Sequence, residues 1–87
     1  MHEFSLLADL IKKIDAIVEK EKARKVVKVQ IKIGALAHIS GEHFREHFEH
    51  AIIGSHTEGA YLEIEEATDE TASDAQSIVL LSIEVED

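Results

Sequence analysis

The first quarter of the chain carries apolar side chains at spacings of three and four residues, the pattern of a helix with one apolar face. The apolar positions are Leu7, Leu10, Ile11, Ile14, Ile17 and Val18. Ser5 is a suitable N-cap, because its hydroxyl can accept a hydrogen bond from an amide of the first turn. The sequence therefore predicts an amphipathic helix from Ser5 to about Glu21.

Three later segments alternate between apolar and polar side chains, as strands with one buried face do. The first covers residues 25–34, with its predicted buried face formed by Val27, Val29, Ile31 and Ile33. Its wet face holds lysines, which we expect to lie opposite the glutamates of the later strands. The second alternating segment covers residues 61–66.

The last segment is predicted to bury one side and expose the other. Its expected buried positions are Val79, Leu81, Ile83 and Val85. Ile78 and Leu80 interrupt the polar side of this strand. They either pack under the preceding loop or form an exposed apolar patch of the kind that marks a partner surface.

A second helix is predicted between the first two strands, from about Gly41 to Ile53. Ser40 and Glu42 mark its start, and Gly54 is placed for a left-handed C-terminal cap. Its apolar positions are Phe44, Phe48, Ala51 and Ile52. The order helix, strand, helix, strand, strand predicts an α+β fold in one domain covering residues 1–87. Two helices should pack on one face of a three-stranded mixed sheet whose last two strands are antiparallel.

Composition removes several classes of function. The chain has no cysteine, which excludes disulfides, thiolate zinc sites and a cysteine nucleophile. All nine Lys and Arg lie in residues 1–56, whereas residues 57–87 hold ten Asp and Glu, and the net charge is −9. The acidic second half would repel nucleic acid, and no segment has the length or composition of a membrane span or signal peptide. We expect a soluble cytoplasmic protein.

The N-terminus can form a metal site, referred to below as the N-terminal site (Met1, His2 and Glu3). The α-amine, the backbone nitrogen of His2 and the His2 imidazole can close a five-membered and then a six-membered chelate ring on one ion. Nitrogen-rich planar ligand sets suit Ni(II) or Cu(II) better than Zn(II), Mg(II) or Ca(II). The Glu3 carboxylate could complete the coordination. Spacing alone also fits an ordinary frayed chain end.

The second predicted helix carries a stripe of potential ligands at i, i+3, i+4 and i+7. Its members are His43, Glu46, His47 and His50. A secondary metal site centred on His43 and His47 is one interpretation. The motif His-x-x-Glu-His also occurs in a class of zinc proteases, although so small a domain offers little room for an enclosed cleft. A solvated helix flank is the third interpretation.

Four segments in succession resemble the hydrogenase and urease nickel-incorporation proteins, the HypA family of nickel metallochaperones. They are Met1–Ser5, Ile31–Leu36, Ile53–Ile64 and Ser82–Glu86. The resemblance implies transient Ni(II) binding by the N-terminal amine with His2 and often Glu3. It also implies a nickel enzyme precursor and a maturation GTPase as partners, and no catalytic residues.

The chain departs from the family pattern at one place. Family members carry a zinc domain with two CxxC pairs between the last two strands, where this sequence has only residues 67–76. We therefore expect no structural zinc, and partner docking through that domain is in doubt. The alternative function is a paralogue that acts as a protein interaction module without nickel. An unpaired edge strand could join a second copy of the chain, although charged side chains along it oppose this.

Overall fold

The computed structural model describes the backbone of residues 2–87 and the side chains from Ser5 onward. It confirms the predicted α+β fold and element order. The elements are α1 (His2–Glu21), β1 (Lys25–Ile33), α2 (Gly41–Ala51), β2 (Tyr61–Glu66) and β3 (Ile78–Glu86). None of the described helices combines the length and apolar character needed to cross a membrane.

The sheet is mixed and has β1 at its centre, in the order β2-β1-β3. β1 pairs in parallel with β2 and antiparallel with β3. The last two strands therefore run in opposite directions, as predicted, but each pairs with β1 and not with the other. Placing β1 between them leaves β2 and β3 as the two edges of the sheet.

The core lies where the apolar faces of both helices meet the sheet. Its largest fully buried side chains include Ile14 of α1, Phe44 and Phe48 of α2, and Leu62 of β2. Because a Leu, Ile or Phe side chain contributes about 1.5–3 kcal/mol when it leaves water, this cluster fixes both helices on the sheet. The spacing of apolar residues in the sequence predicted Ile14, Phe44 and Phe48 correctly.

The predicted start of α1 is wrong. The helix extends back to His2, so Ser5 lies inside its first turns and is not the N-cap. The Ser5 side chain is exposed. Serine is tolerated inside a helix as well as at its N-cap, because its helix propensity is only slightly lower than that of the aliphatic residues. The helix therefore reaches the predicted metal-binding residues instead of stopping short of them.

In β1 the strict alternation predicted from the sequence is interrupted at Val27. Val26 pairs with Val85 and Lys28 pairs with Glu84, so Val27 is an extra residue in a β-bulge. Consequently Val26 is the fully buried residue and Val27 is only half-buried. The predicted buried positions from Val29 onward are correct.

A second register shift explains the unusual pattern of β3. Gln30 pairs with Ser82 and Ile31 pairs with Leu80, which leaves Leu81 as the extra residue. Ile78 is therefore buried and Leu80 packs against the core, while Leu81 is 43% exposed. The predicted inward position of Leu81 is wrong. The alternative in which Ile78 and Leu80 form an exposed apolar patch is wrong as well.

The loop after β2 crosses the end of β1 at Gly34. The backbone nitrogen of Gly34 donates to Ser77 O at 2.9 Å, and that of Leu36 donates to Ala75 O at 2.7 Å. A Cβ at Gly34 would lie 2.2 Å from the carbonyl oxygen of Ala75, so only glycine allows this approach. The loop is thereby held on the edge of the core without regular structure.

Candidate metal centre

The predicted N-terminal site lies outside the described residues. Met1 is outside entirely, and His2 and Glu3 are outside in their side chains. The structure does describe the element that carries them, because α1 begins at His2. Amides in the first turn of an α-helix have no acceptor within the helix. The His2 backbone nitrogen, which the predicted chelate requires, therefore belongs to a turn whose amides are not committed to helical hydrogen bonds.

The next turns of α1 attach this end to the body of the protein. Leu7 is 7% exposed, Leu10 is 3% exposed, and Ile14 is fully buried. Leu7 comes five residues after His2, which corresponds to about 7–8 Å along a helix axis. The start of α1 is thus close to the core, and a metal ion held there would lie at the edge of the domain.

The histidine stripe lies on α2, which is fixed at its start and on its inner face. Ser40 is the N-cap, as predicted, and its hydroxyl oxygen accepts a hydrogen bond from the backbone nitrogen of His43 at 3.1 Å. Phe44 and Phe48 are fully buried. Each of these phenylalanines immediately follows a histidine of the stripe, so their packing sets the direction in which the histidines project. α2 ends at Ala51, two residues before the predicted end.

His43 and His47, referred to below as the histidine pair, are in direct contact. Their Nε2 atoms are 3.0 Å apart, so one imidazole donates its Nε2–H and the other accepts it. The ring centroids are 4.5 Å apart and the ring planes are inclined at 73°. The His43 residue is exposed and His47 is partly buried. Spacing predicted a shared stripe, whereas the close approach of the two nitrogen atoms depends on side-chain rotamers.

The other two predicted members of the stripe lie elsewhere on the same helix surface. Glu46 and His50 line an open groove together with His47, Glu49 and Ile53. Within residues 5–87, no three histidine or carboxylate side chains come together as a metal-binding group. The structure therefore brings two of the four predicted ligands to bonding distance of one another. The zinc-protease interpretation gains no third ligand from these residues.

The basic and acidic halves of the chain meet on the open face of the sheet. Lys28 Nζ lies 3.1 Å from a carboxylate oxygen of Glu63 and 3.9 Å from one of Glu84. The hydrogen bond and charge of Glu63 raise the pKa of Lys28 above its usual value. Lys32 Nζ lies 2.9 Å from Asp74 in the loop after β2, and that contact raises the pKa of Lys32. The predicted pairing of β1 lysines with later acidic residues is confirmed.

Comparison with known proteins connects this fold to nickel metabolism. The family model for hydrogenase/urease nickel incorporation, metallochaperone, HypA matches residues 1–74. A hydrogenase maturation factor HypA from Chlorobium limicola is 39% identical over 66 residues, which cover 76% of this chain and 57% of that protein. The chain thus spans little more than half the length of this relative.

Two solved structures share the fold. The solution structure of the Ni metallochaperone HypA from Helicobacter pylori has a TM-score of 0.79 at 22% identity, covering 99% of this chain and 98% of that one. A second HypA solution structure has a TM-score of 0.73 at 20% identity, covering 98% of this chain and 96% of that one. At these identities the likeness establishes the fold alone.

Proposed function

Because the chain belongs to the HypA family of hydrogenase/urease nickel-incorporation metallochaperones, we propose that it binds one Ni(II) through its N-terminal site and delivers it, in the cytoplasm, to a nickel enzyme under assembly. The observation that carries this proposal is that the family match begins at residue 1 and so includes Met1, His2 and Glu3. The ion is cargo. The chemistry required is coordination and ligand exchange, and no residue acts as a catalyst.

The ligand set suits this task. The α-amine, the His2 amide nitrogen and His2 Nδ1 form two adjacent chelate rings, and a Glu3 carboxylate oxygen can occupy the fourth position of a square plane. Square-planar nitrogen coordination favours Ni(II) and Cu(II). The three nitrogen ligands must lose or withhold protons to bind, so the affinity should fall as the pH falls. A site on the surface at a helix end can also be reached by an acceptor protein, which a carrier of metal needs.

We propose one domain for residues 1–87 with no zinc insertion. β2 and β3 are joined by a loop of residues 67–77 that is tied to the end of β1, and the sequence supplies no cysteine for a thiolate zinc site. We further propose a nickel enzyme precursor and a maturation GTPase as partners. These partners would have to dock without a zinc domain between the last two strands.

The alternative of an interaction module without nickel has lost one of its supports. It drew on an exposed patch formed by Ile78 and Leu80, but both side chains pack in or against the core.

The proposal is tested by titrating Ni(II) into untagged protein with its native N-terminus. We expect a square-planar Ni(II) absorption band that saturates at one ion per chain. The band should be lost in His2→Ala, because the six-membered ring cannot close, and in protein acetylated at its α-amine, because the acetylated nitrogen no longer binds as an amine. Lys12→Ala, an exposed position on the same helix, serves as the control and should keep the band. Retention of the band both in His2→Ala and in the acetylated protein would refute the proposal.

A further inference from the structure

We propose that the histidine pair is a second divalent-metal site, in addition to the N-terminal site, that accepts Ni(II) or Cu(II) through the Nε2 atoms of His43 and His47. Neither the family match nor the relatives assign a role to these residues. The inference concerns side chains on α2 and does not depend on the function proposed for Met1, His2 and Glu3.

The separation of the two nitrogen atoms is suitable for two ligands of one ion. Metal–nitrogen bonds to histidine are about 2.0–2.1 Å long. If one ion forms such bonds to both Nε2 atoms while they stay 3.0 Å apart, the nitrogen–metal–nitrogen angle is about 91–97°. This is the angle between neighbouring ligands in square-planar and octahedral complexes, the geometries of Ni(II) and Cu(II). Tetrahedral Zn(II) would require the nitrogen atoms to be about 3.3–3.4 Å apart.

The pair is held in place by the packing of α2. Phe44 and Phe48 are fully buried and prevent the helix from rotating. The Ser40 cap holds the first turn, in which His43 lies. The two histidines are one turn apart on a helix that is held by its N-cap and by its buried phenylalanines. Little backbone freedom is therefore lost when they bind an ion. That preorganisation favours chelation over binding by a single imidazole.

Metal binding replaces the hydrogen bond between the two rings. The imidazole that donates its Nε2–H must move that proton to Nδ1, so that both Nε2 lone pairs face the ion. Between two neutral rings this tautomer change releases no net proton. The pair supplies two ligands to the ion. The site should therefore bind more weakly than a site with four protein ligands, and it should exchange its ion readily.

The test is equilibrium dialysis of untagged protein against saturating NiCl₂, with bound nickel measured per chain. The native protein should hold two ions. The variant His2→Ala should hold one, and so should the double variant His43→Ala/His47→Ala. Combining these changes should abolish binding. Thermal unfolding gives a second measure, because Ni(II) should raise the Tm of His2→Ala and should not raise it once the pair is also removed.

Two control variants test whether binding depends on the positions of the histidines and not only on their number. His50→Ala removes an exposed histidine of the same helix and should leave two ions bound. The exchange Glu42→His with His43→Glu preserves composition but places the histidines five residues apart, about 140° around the helix. It should lower the count to one, like the alanine variant. A count that stays at two in this exchange, or in the double alanine variant, would overturn the inference.

The two proposals fail in different ways. One ion per chain, lost in His2→Ala and kept without the pair, overturns the second site and leaves the N-terminal site standing. One ion per chain, lost without the pair and kept in His2→Ala, does the reverse.

Discussion

At the scale of single residues, the sequence predicted which side chains share a surface better than it predicted their contacts. Helical spacing placed His43 and His47 on one stripe, and the structure confirms that they are neighbours. Their nitrogen atoms meet at 3.0 Å because of the rotamers that each ring adopts, and spacing does not specify rotamers. Ser5 and Ser40 were equally good caps by residue type. Only Ser40 lies at a helix start, since α1 continues back to His2.

Ser40→Ala should destabilise the protein by about 1 kcal/mol, because an amide of the first turn of α2 loses its acceptor. The measurement is the free energy of unfolding from urea denaturation. Ser73→Ala, at an exposed position in the loop after β2, is the matched control and should change stability by less than about 0.5 kcal/mol. Equal effects of the two substitutions would show that the Ser40 hydroxyl does not cap α2.

At the scale of elements, periodicity identified all five segments but not the two irregularities in the sheet. The extra residues Val27 and Leu81 arise where β1 and β3 change register. A prediction from alternation considers one strand at a time and assumes that its pairing with the neighbouring strand is regular. A β-bulge depends on the pairing of two strands, so the sequence of one strand does not predict it. The sequence contains one sign of the bulge in β3. Ile78 and Leu80 are apolar at positions that would lie on the polar face if the strand were regular.

The loop after β2 should depend on the ion pair between Lys32 and Asp74. Lys32→Met should leave the fold intact and speed hydrogen exchange at the Leu36 amide, which is bonded to Ala75 of that loop. Lys28→Met is the control, since its partners Glu63 and Glu84 lie on the neighbouring strands. It should not affect the Leu36 amide. Equal exchange in the two variants would show that the ion pair does not hold the loop.

The pH dependence follows from the direction of the pKa shift. Asp74 raises the pKa of Lys32 in the folded protein above its usual 10.5. The contribution of the pair is therefore complete below pH 10.5 and is lost as the pH rises through the folded-state pKa. Protection of the Leu36 amide in native protein, corrected for intrinsic exchange, should decline in that alkaline range towards the value in Lys32→Met.

At the scale of the whole molecule, the uneven charge of the sequence is explained by the sheet. The lysines of β1 lie between the acidic side chains of β2, β3 and the loop that joins them. Among the described residues, Arg24, Lys28 and Lys32 therefore form ion pairs with the acidic half of the same chain. The fold class could be predicted from sequence because each element has a clear period. Strand order could not, since alternation does not say which strand is central.

The account rests on coordination by the backbone nitrogen of His2, and one measurement tests it directly. A ¹H–¹⁵N spectrum of protein labelled at its histidine amides should be recorded before and after one equivalent of Ni(II). Square-planar Ni(II) is diamagnetic, so we predict that the His2 amide signal disappears through loss of its proton while the signals of His43 and His47 stay sharp. A His2 signal that persists after addition of nickel would contradict the account.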